Sequence, residues 1–172
     1  MIHFYDQSFP DRKEPLNKGV PKAVGGLAAA FVRDGHPVTI LTDGDVEHTY
    51  ERDGYTVRAF RKENRYRPAS GLREYVRRMD DGPILLNGMF NPPVAELAWQ
   101  LRSGGRPYLF APHDPYNAAM FASGRVRKTV WWHLIERSLL DGAEAVQVLD
   151  PRHGRLLEER GIHTPWFVVP NG

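Results

Sequence analysis

Residues 20–42, VPKAVGGLAAAFVRDGHPVTILT, contain the change of period that decides the fold. From Val20 to Asp34 the apolar positions recur at helical spacing, and Gly35 stands where a helix commonly closes in left-handed backbone. Pro37 to Thr42 is then a β-branched apolar run of strand length, with Asp43-Gly44-Asp45 expected as its turn. Working outward, residues 1–6 read as a first strand and Gln7 to Lys18 as a loop rich in turn residues. A strand, a helix and a second buried strand in succession imply a parallel βα unit.

The same alternation continues to the other end. Tyr55 to Phe60 reads as a strand with one wet face, Pro68 to Met79 as a basic helix, and Pro83 to Leu86 as a short buried strand. Pro93 to Arg102 is a helix closed by Gly104-Gly105, and Tyr108 to Ala111 a strand. Val126 to Leu140 has amphipathic period, with Trp131, Leu134, Ile135, Leu139 and Leu140 as its expected buried stripe. Ala143 to Leu149 is a strand, Pro151 to Arg160 a helix ended by Gly161, and Trp166 to Val169 the last strand. The expected fold is a single Rossmann-like, doubly wound α/β domain over residues 1–172, mostly parallel, with helices on both faces.

Composition narrows the function. The 172 residues, 41% hydrophobic, suffice for one self-supporting core. The absence of Cys excludes disulfides, thiolate metal sites and thiol nucleophiles. A mean hydropathy of -0.49 and the lack of a long apolar run imply a soluble protein, at most peripheral at a membrane, and the lack of Cys fits a cytoplasmic one. Between Arg52 and Arg78 nine Arg or Lys face three acids, so this stretch carries +6 and the remainder -4. Such asymmetry marks either a solvated basic face or an anionic partner, and Arg61 to Arg78 is the segment expected at an anionic membrane surface. Trp131 and Trp132 point about 100° apart on a helix, so one packs while the other lies at the rim, beside Arg125, Arg127 and Lys128. The fingerprints of dinucleotide domains, P-loop NTPases, zincins and α/β-hydrolases are missing. No metal, no cofactor and no nucleic-acid partner are expected; Asp43-Gly44-Asp45 spells D-x-D but is read as two solvated turn aspartates.

Three segments together resemble the retaining glycosyltransferases of two-domain GT-B architecture, the large family that includes sucrose synthases and many mannosyl and lipopolysaccharide transferases. They are Lys18-Gly19 with Leu27 to Phe31 and Arg33 to Thr42, Pro107 to His113, and Glu136 to Val146 with Val168 to Gly172. The resemblance implies an N-terminal, acceptor-side domain whose donor-binding C-terminal partner would follow Gly172. It also implies transfer of a hexosyl group from a nucleotide sugar to a hydroxyl acceptor with retention, and no turnover by this half alone. By the same resemblance His113, after its strand, contacts the donor sugar near the reaction centre, and the leaving diphosphate approaches Gly19. Physical reasoning adds that the helix from Val20 offers positive dipole charge and Lys18 a full charge. Acceptor groups are expected at Asn17, Asn87, Asp114 and Tyr116, with Asp114 alternatively orienting His113 or capping the following turn. Asn87 either meets sugar hydroxyls or simply turns the chain. Gly25 and Gly26 fall inside the helix and are read as sites of close packing rather than chemistry. The alternatives are a non-catalytic module for a nucleotide, sugar or phosphate, and a protein-interaction domain built on Arg52 to Arg78.

Overall fold

The computed structural model describes residues 1–79, 82–122 and 124–170. Its sheet has the order β3-β4-β2-β1-β5-β6-β7-β8, with β1 Ile2–Tyr5, β2 Val38–Gly44, β3 His48–Arg52, β4 Tyr55–Arg61, β5 Ile84–Asn87, β6 Leu109–Ala111, β7 Ala145–Val148 and β8 Trp166–Val168. All neighbouring pairs are parallel except β3 with β4, which form an antiparallel hairpin at one edge. The helices are α1 Gly19–Arg33, α2 Ser70–Arg78, α3 Pro92–Ser103, α4 Ala118–Ala122, α5 Arg125–Trp131, α6 Arg137–Asp141 and α7 Pro151–Glu159. The doubly wound α/β expectation therefore holds.

Two rows of side chains run across the sheet. In register, Leu41, Tyr5, Leu86, Phe110 and Val146 lie side by side, and this row joins the core that also takes buried residues of α2, α3, α6 and α7. One residue earlier on each strand, Val57, Ile40, Phe4, Leu85 and Leu109 face the opposite way, against α1. Because strand side chains alternate between faces, continuous apolar runs such as Ile40-Leu41 and Leu85-Leu86 serve both layers at once. The chain winds from β1 through β2 and β4 on one side and crosses to β5 on the other, so the switch point lies between β1 and β5. Crevices at such points, beyond the carboxyl ends of the strands, are where open α/β sheets bind ligands.

Three local readings change. The strand β2 runs on through Asp43, which is only 6% exposed: its Oδ2 accepts a hydrogen bond from the Tyr5 hydroxyl at 2.7 Å and its Oδ1 one from the Ala69 amide at 3.0 Å. Asp43 is thus not a solvated turn residue. The hairpin strand β3 and the short helix α4 were absent from the sequence reading. The helical run from Arg125 to Asp141 contains a π-turn at Trp132–Glu136. The extra residue in that turn shifts the phase, so Trp132, Glu136, Leu139 and Leu140 point inward while Leu134, expected in the core, is 73% exposed.

The two helix glycines separate. A Cβ on Gly25 would lie 2.7 Å from Leu16 Cδ1 and 3.0 Å from the Tyr55 hydroxyl, whereas one on Gly26 would meet nothing within 4 Å. Close packing therefore explains Gly25 and does not explain Gly26. Gly26→Ala is expected to stabilise the protein by about 0.5–1 kcal/mol through helix propensity, and Gly25→Ala to destabilise it by about 1–3 kcal/mol through overpacking. Chemical denaturation of the two variants checks this, and a Gly25→Ala protein as stable as the parent would contradict the packing account.

Several side chains of the basic stretch have partners within the chain. Arg67 grips Glu96 with two bonds of 2.7 and 3.0 Å, Arg73 reaches the same carboxylate at 3.4 Å, and Arg77 and Arg78 pair with Glu74. Arg58 lies over the rings of Phe60 and Tyr75. Among the described residues no helix is long and apolar enough to cross a membrane.

Candidate functional site

The strands β5 and β6 end side by side, β5 in Asn87 and β6 in Ala111, with His113 two residues beyond it. Asn87, 2% exposed, donates both of its amide hydrogens to main-chain carbonyls, of Tyr5 at 3.0 Å and of Leu85 at 3.1 Å. Its Oδ1 is left as an acceptor, and His113 Nε2 lies 2.8 Å from it. The shared proton must then reside on Nε2, which makes His113 the Nε2-H tautomer. Burial pushes the His113 pKa down to about 4, with the neighbouring Asp114 carboxylate opposing the shift, so the ring is neutral near pH 7. His113 also holds φ at +68°, a region costly for a residue with a side chain. The His113 Nδ1 is buried without a hydrogen-bond partner.

This pair lines one cleft of about 660 Å³ together with Gly19 at the start of α1, Gln147 of β7, and Val169 and Pro170 beyond β8. A Cβ on Gly19 would meet nothing within 4 Å, so the main chain at the helix N-terminus is open to a close approach. Lys18 is the N-cap residue and makes no capping bond; with Asn17 it faces an adjoining hollow beside Gln7, Ser8 and Asp43. Near it, Asp6 is 3% exposed and accepts from the Ser8 amide and hydroxyl, and burial raises its pKa.

On the opposite face of the sheet, at the same carboxyl end, a second cleft of about 750 Å³ opens over Asp43. Its walls come from the loop after β1 (Gln7, Ser8), the loop after β4 (Lys62, Arg65, Tyr66), the loop after β5 (Met89 to Pro92) and one side of α5 (Arg127, Lys128, Trp131). The π-turn organises this wall. It aims Glu136, 1% exposed, at the amide of Phe90 (3.1 and 3.2 Å), the hydroxyl of Tyr116 (2.6 Å) and the indole N-H of Trp131 (2.8 Å). Burial raises the Glu136 pKa against the pull of those donors. Phe90 itself is held at φ +50°.

The structure thus brings Gly19, Asn87 and His113 into one cleft and puts Asn17 and Lys18 in the hollow beside it. Asp114 and Tyr116 do not line that cleft; with His113 they border a void of about 10 Å³ beside Val148, His153 and Leu157. The acceptor role expected for Tyr116 is corrected on this geometry: the residue is 1% exposed and its hydroxyl is spent on Glu136. Asp114 is exposed.

A family model described as a glycosyl transferase 4-like domain matches residues 18–172. The chain belongs to that family. Among curated proteins none matches it. Among solved structures, the Anabaena protein HepE in its complex with UDP and glucose superposes with a TM-score of 0.60 at 14% identity, over 99% of this chain and 44% of that one. At that identity the likeness shows the fold, and the present chain spans less than half of the relative's length.

In this glycosyl transferase 4-like domain the sequence reading missed Gln147 and Phe90 as cleft residues and Glu136 as the carboxylate that holds Phe90, and it took Asp43 for a solvated turn residue. Gln147 occupies an ordinary strand position, and the inward turn of Glu136 depends on a π-turn that no residue pattern announces. The depressed pKa of His113 has a consequence for stability. Between pH 6.5 and about 4 the unfolded chain binds a proton at this position that the folded one refuses. The contribution is therefore complete above pH 6.5 and is lost as pH falls toward 4, a difference of roughly 3 kcal/mol. Unfolding curves for the parent and His113→Gln are expected to lie close together near pH 7 and to diverge as pH falls toward 4, where only the parent loses stability. Parallel pH profiles would show that His113 does not titrate abnormally.

Proposed function

We propose that the chain is the acceptor-side half of a glycosyltransferase that moves a hexosyl group from a nucleotide sugar to a hydroxyl acceptor with retention of configuration. The observation that carries the reading is the joining, in one cleft of a glycosyl transferase 4-like domain, of an open helix N-terminus at Gly19 with the Asn87–His113 pair. Main-chain N-H groups and the helix dipole at Gly19 suit a diphosphate leaving group. A neutral His113, oriented by Asn87, suits a place beside an uncharged sugar better than a proton-carrying role at neutral pH. The nucleotide and most of the donor would be held by a further domain, as the share of HepE left uncovered suggests.

The test is incubation of the full-length protein with nucleotide sugars and alcohol acceptors, with the anomeric configuration of the product read by NMR. Transfer with retention is expected from the full-length protein, and none from residues 1–172 alone, because donor and acceptor must be held together across two domains. Turnover by the 172-residue chain, or an inverted product, would overturn the corresponding part of the proposal.

A further inference from the structure

The second cleft, over Asp43, is more cationic than the sheet end around it. Four positive side chains from two distant segments converge there: Lys62 and Arg65 after β4, and Arg127 and Lys128 on α5. The carboxylate in its lining, Asp43, is already occupied by Tyr5 and Ala69. Lys62 is paired with Asp45 at 3.1 Å, and the Lys128 ammonium donates to the Met120 carbonyl at 2.7 Å. Arg65 and Arg127, both in the lining of this cleft, differ from Arg67, Arg73, Arg77 and Arg78. Arg67 and Arg73 are tied to Glu96, and Arg77 and Arg78 to Glu74, whereas among the described residues no ion pair engages Arg65 or Arg127. Arg65 lies over the ring of Tyr66, with its carbonyl held by Gln7 and the turn shaped by Asn64, whose Oδ1 accepts from the Tyr66 and Arg67 amides. Two guanidinium groups in the lining of one concave site, neither in an ion pair among the described residues, suit an oxyanion.

The rest of the lining is aromatic and apolar. Trp131 stands one turn from Arg127 on the same side of α5, and its indole is fixed by Glu136. Phe90 is fixed by the same carboxylate. On the outer side of that helical run, Val126, Val130 and Leu134 are 79%, 51% and 73% exposed, an apolar ridge beside the mouth of the cleft. This cleft shares the switch-point loop, Gln7 and Ser8, with the hollow at Lys18, and it lies across the sheet from His113.

We propose that this cleft binds the acceptor through a phosphate-type oxyanion held by Arg65 and Arg127, with the acceptor's apolar body against Trp131 and Phe90. The assignment of the occupant as an acceptor rests on the glycosyltransferase reading above. A hydroxyl acceptor that carries a phosphate on a hydrophobic body matches both halves of the lining. Free phosphate matches only the cations.

Octyl phosphate, inorganic phosphate and octyl glucoside serve as probes of the full-length protein, below the micellar range, with tryptophan fluorescence and calorimetry as readouts. Octyl phosphate is expected to bind roughly tenfold or more tightly than either of the others, with affinity falling as salt rises. The double variant Arg65→Gln/Arg127→Gln should lose roughly tenfold or more of that affinity at unchanged Tm, since neither side chain makes an ion pair that stabilises the fold. Arg125→Gln, on the same helix but outside the cleft, should bind as the parent does. Equal binding of octyl glucoside, equal binding of inorganic phosphate, or undiminished affinity in the double variant would each overturn the proposal. Transfer from nucleotide sugars, assayed in parallel, separates the two readings. Octyl phosphate bound without any sugar transfer would keep the oxyanion cleft and remove the glycosyltransferase; transfer with no octyl phosphate binding would do the reverse.

Discussion

Glu136→Ala is expected to destabilise the protein by about 3 kcal/mol and to lower its unfolding midpoint by roughly 6–12 °C. The carboxylate accepts from the Phe90 amide, the Tyr116 hydroxyl and the Trp131 indole, and Tyr116 is 1% exposed. Truncation leaves these donors without an acceptor, and each buried orphan costs about 1–3 kcal/mol before relaxation. The net figure is smaller than their sum because a buried carboxylate carries its own desolvation cost, seen in its raised pKa. Glu136→Gln is the informative companion. Its remaining oxygen can serve Trp131 and Phe90, while its amide faces the Tyr116 hydroxyl, which can rotate to accept; a loss of about 1 kcal/mol is expected. Thermal denaturation of both variants, with Trp131 fluorescence as a local probe, tests the account. An Ala variant as stable as the Gln variant would mean that the carboxylate does not hold the cleft wall.

His113→Ala in the full-length protein is expected to reduce kcat and kcat/KM together by roughly 10² or more, if the imidazole positions or stabilises the reacting sugar. Stability should change much less. The substitution removes one hydrogen bond to Asn87, worth about 1 kcal/mol, and leaves Asn87 still anchored by the Tyr5 and Leu85 carbonyls. A residue with a purely structural role would give the opposite pattern, a lowered midpoint with normal turnover of the molecules that remain folded. Near-parental kcat in a folded His113→Ala protein would therefore take His113 out of the site. Because the ring is neutral, with its pKa lowered to about 4, the activity carried by His113 should also be flat across neutral pH.

The sequence alone determined the layer architecture, since helical and strand periods alternate clearly and each apolar strand, such as Ile40-Leu41, must be covered on both faces. The family resemblance pointed to Gly19 and His113, and the order of elements puts both beyond the carboxyl ends of parallel strands, where they line one cleft. The tertiary structure decided what local patterns do not encode. The edge strand β3 is polar, and its pairing with β4 depends on the hairpin rather than on an apolar run. Asp43 spells a turn but is drawn into the core by Tyr5, which lies 38 positions away. The inward face of the run from Arg125 to Asp141 depends on one extra residue in a π-turn, which turns Glu136 in and Leu134 out. The pairing of Asn87 with His113, 26 positions apart, and the convergence of Arg65 with Arg127 follow from which strands become neighbours at the switch point. The hairpin and the π-turn are local, whereas the burial of Asp43, the Asn87–His113 pair and the meeting of Arg65 with Arg127 are long-range choices, made by segments brought together only when the sheet closes.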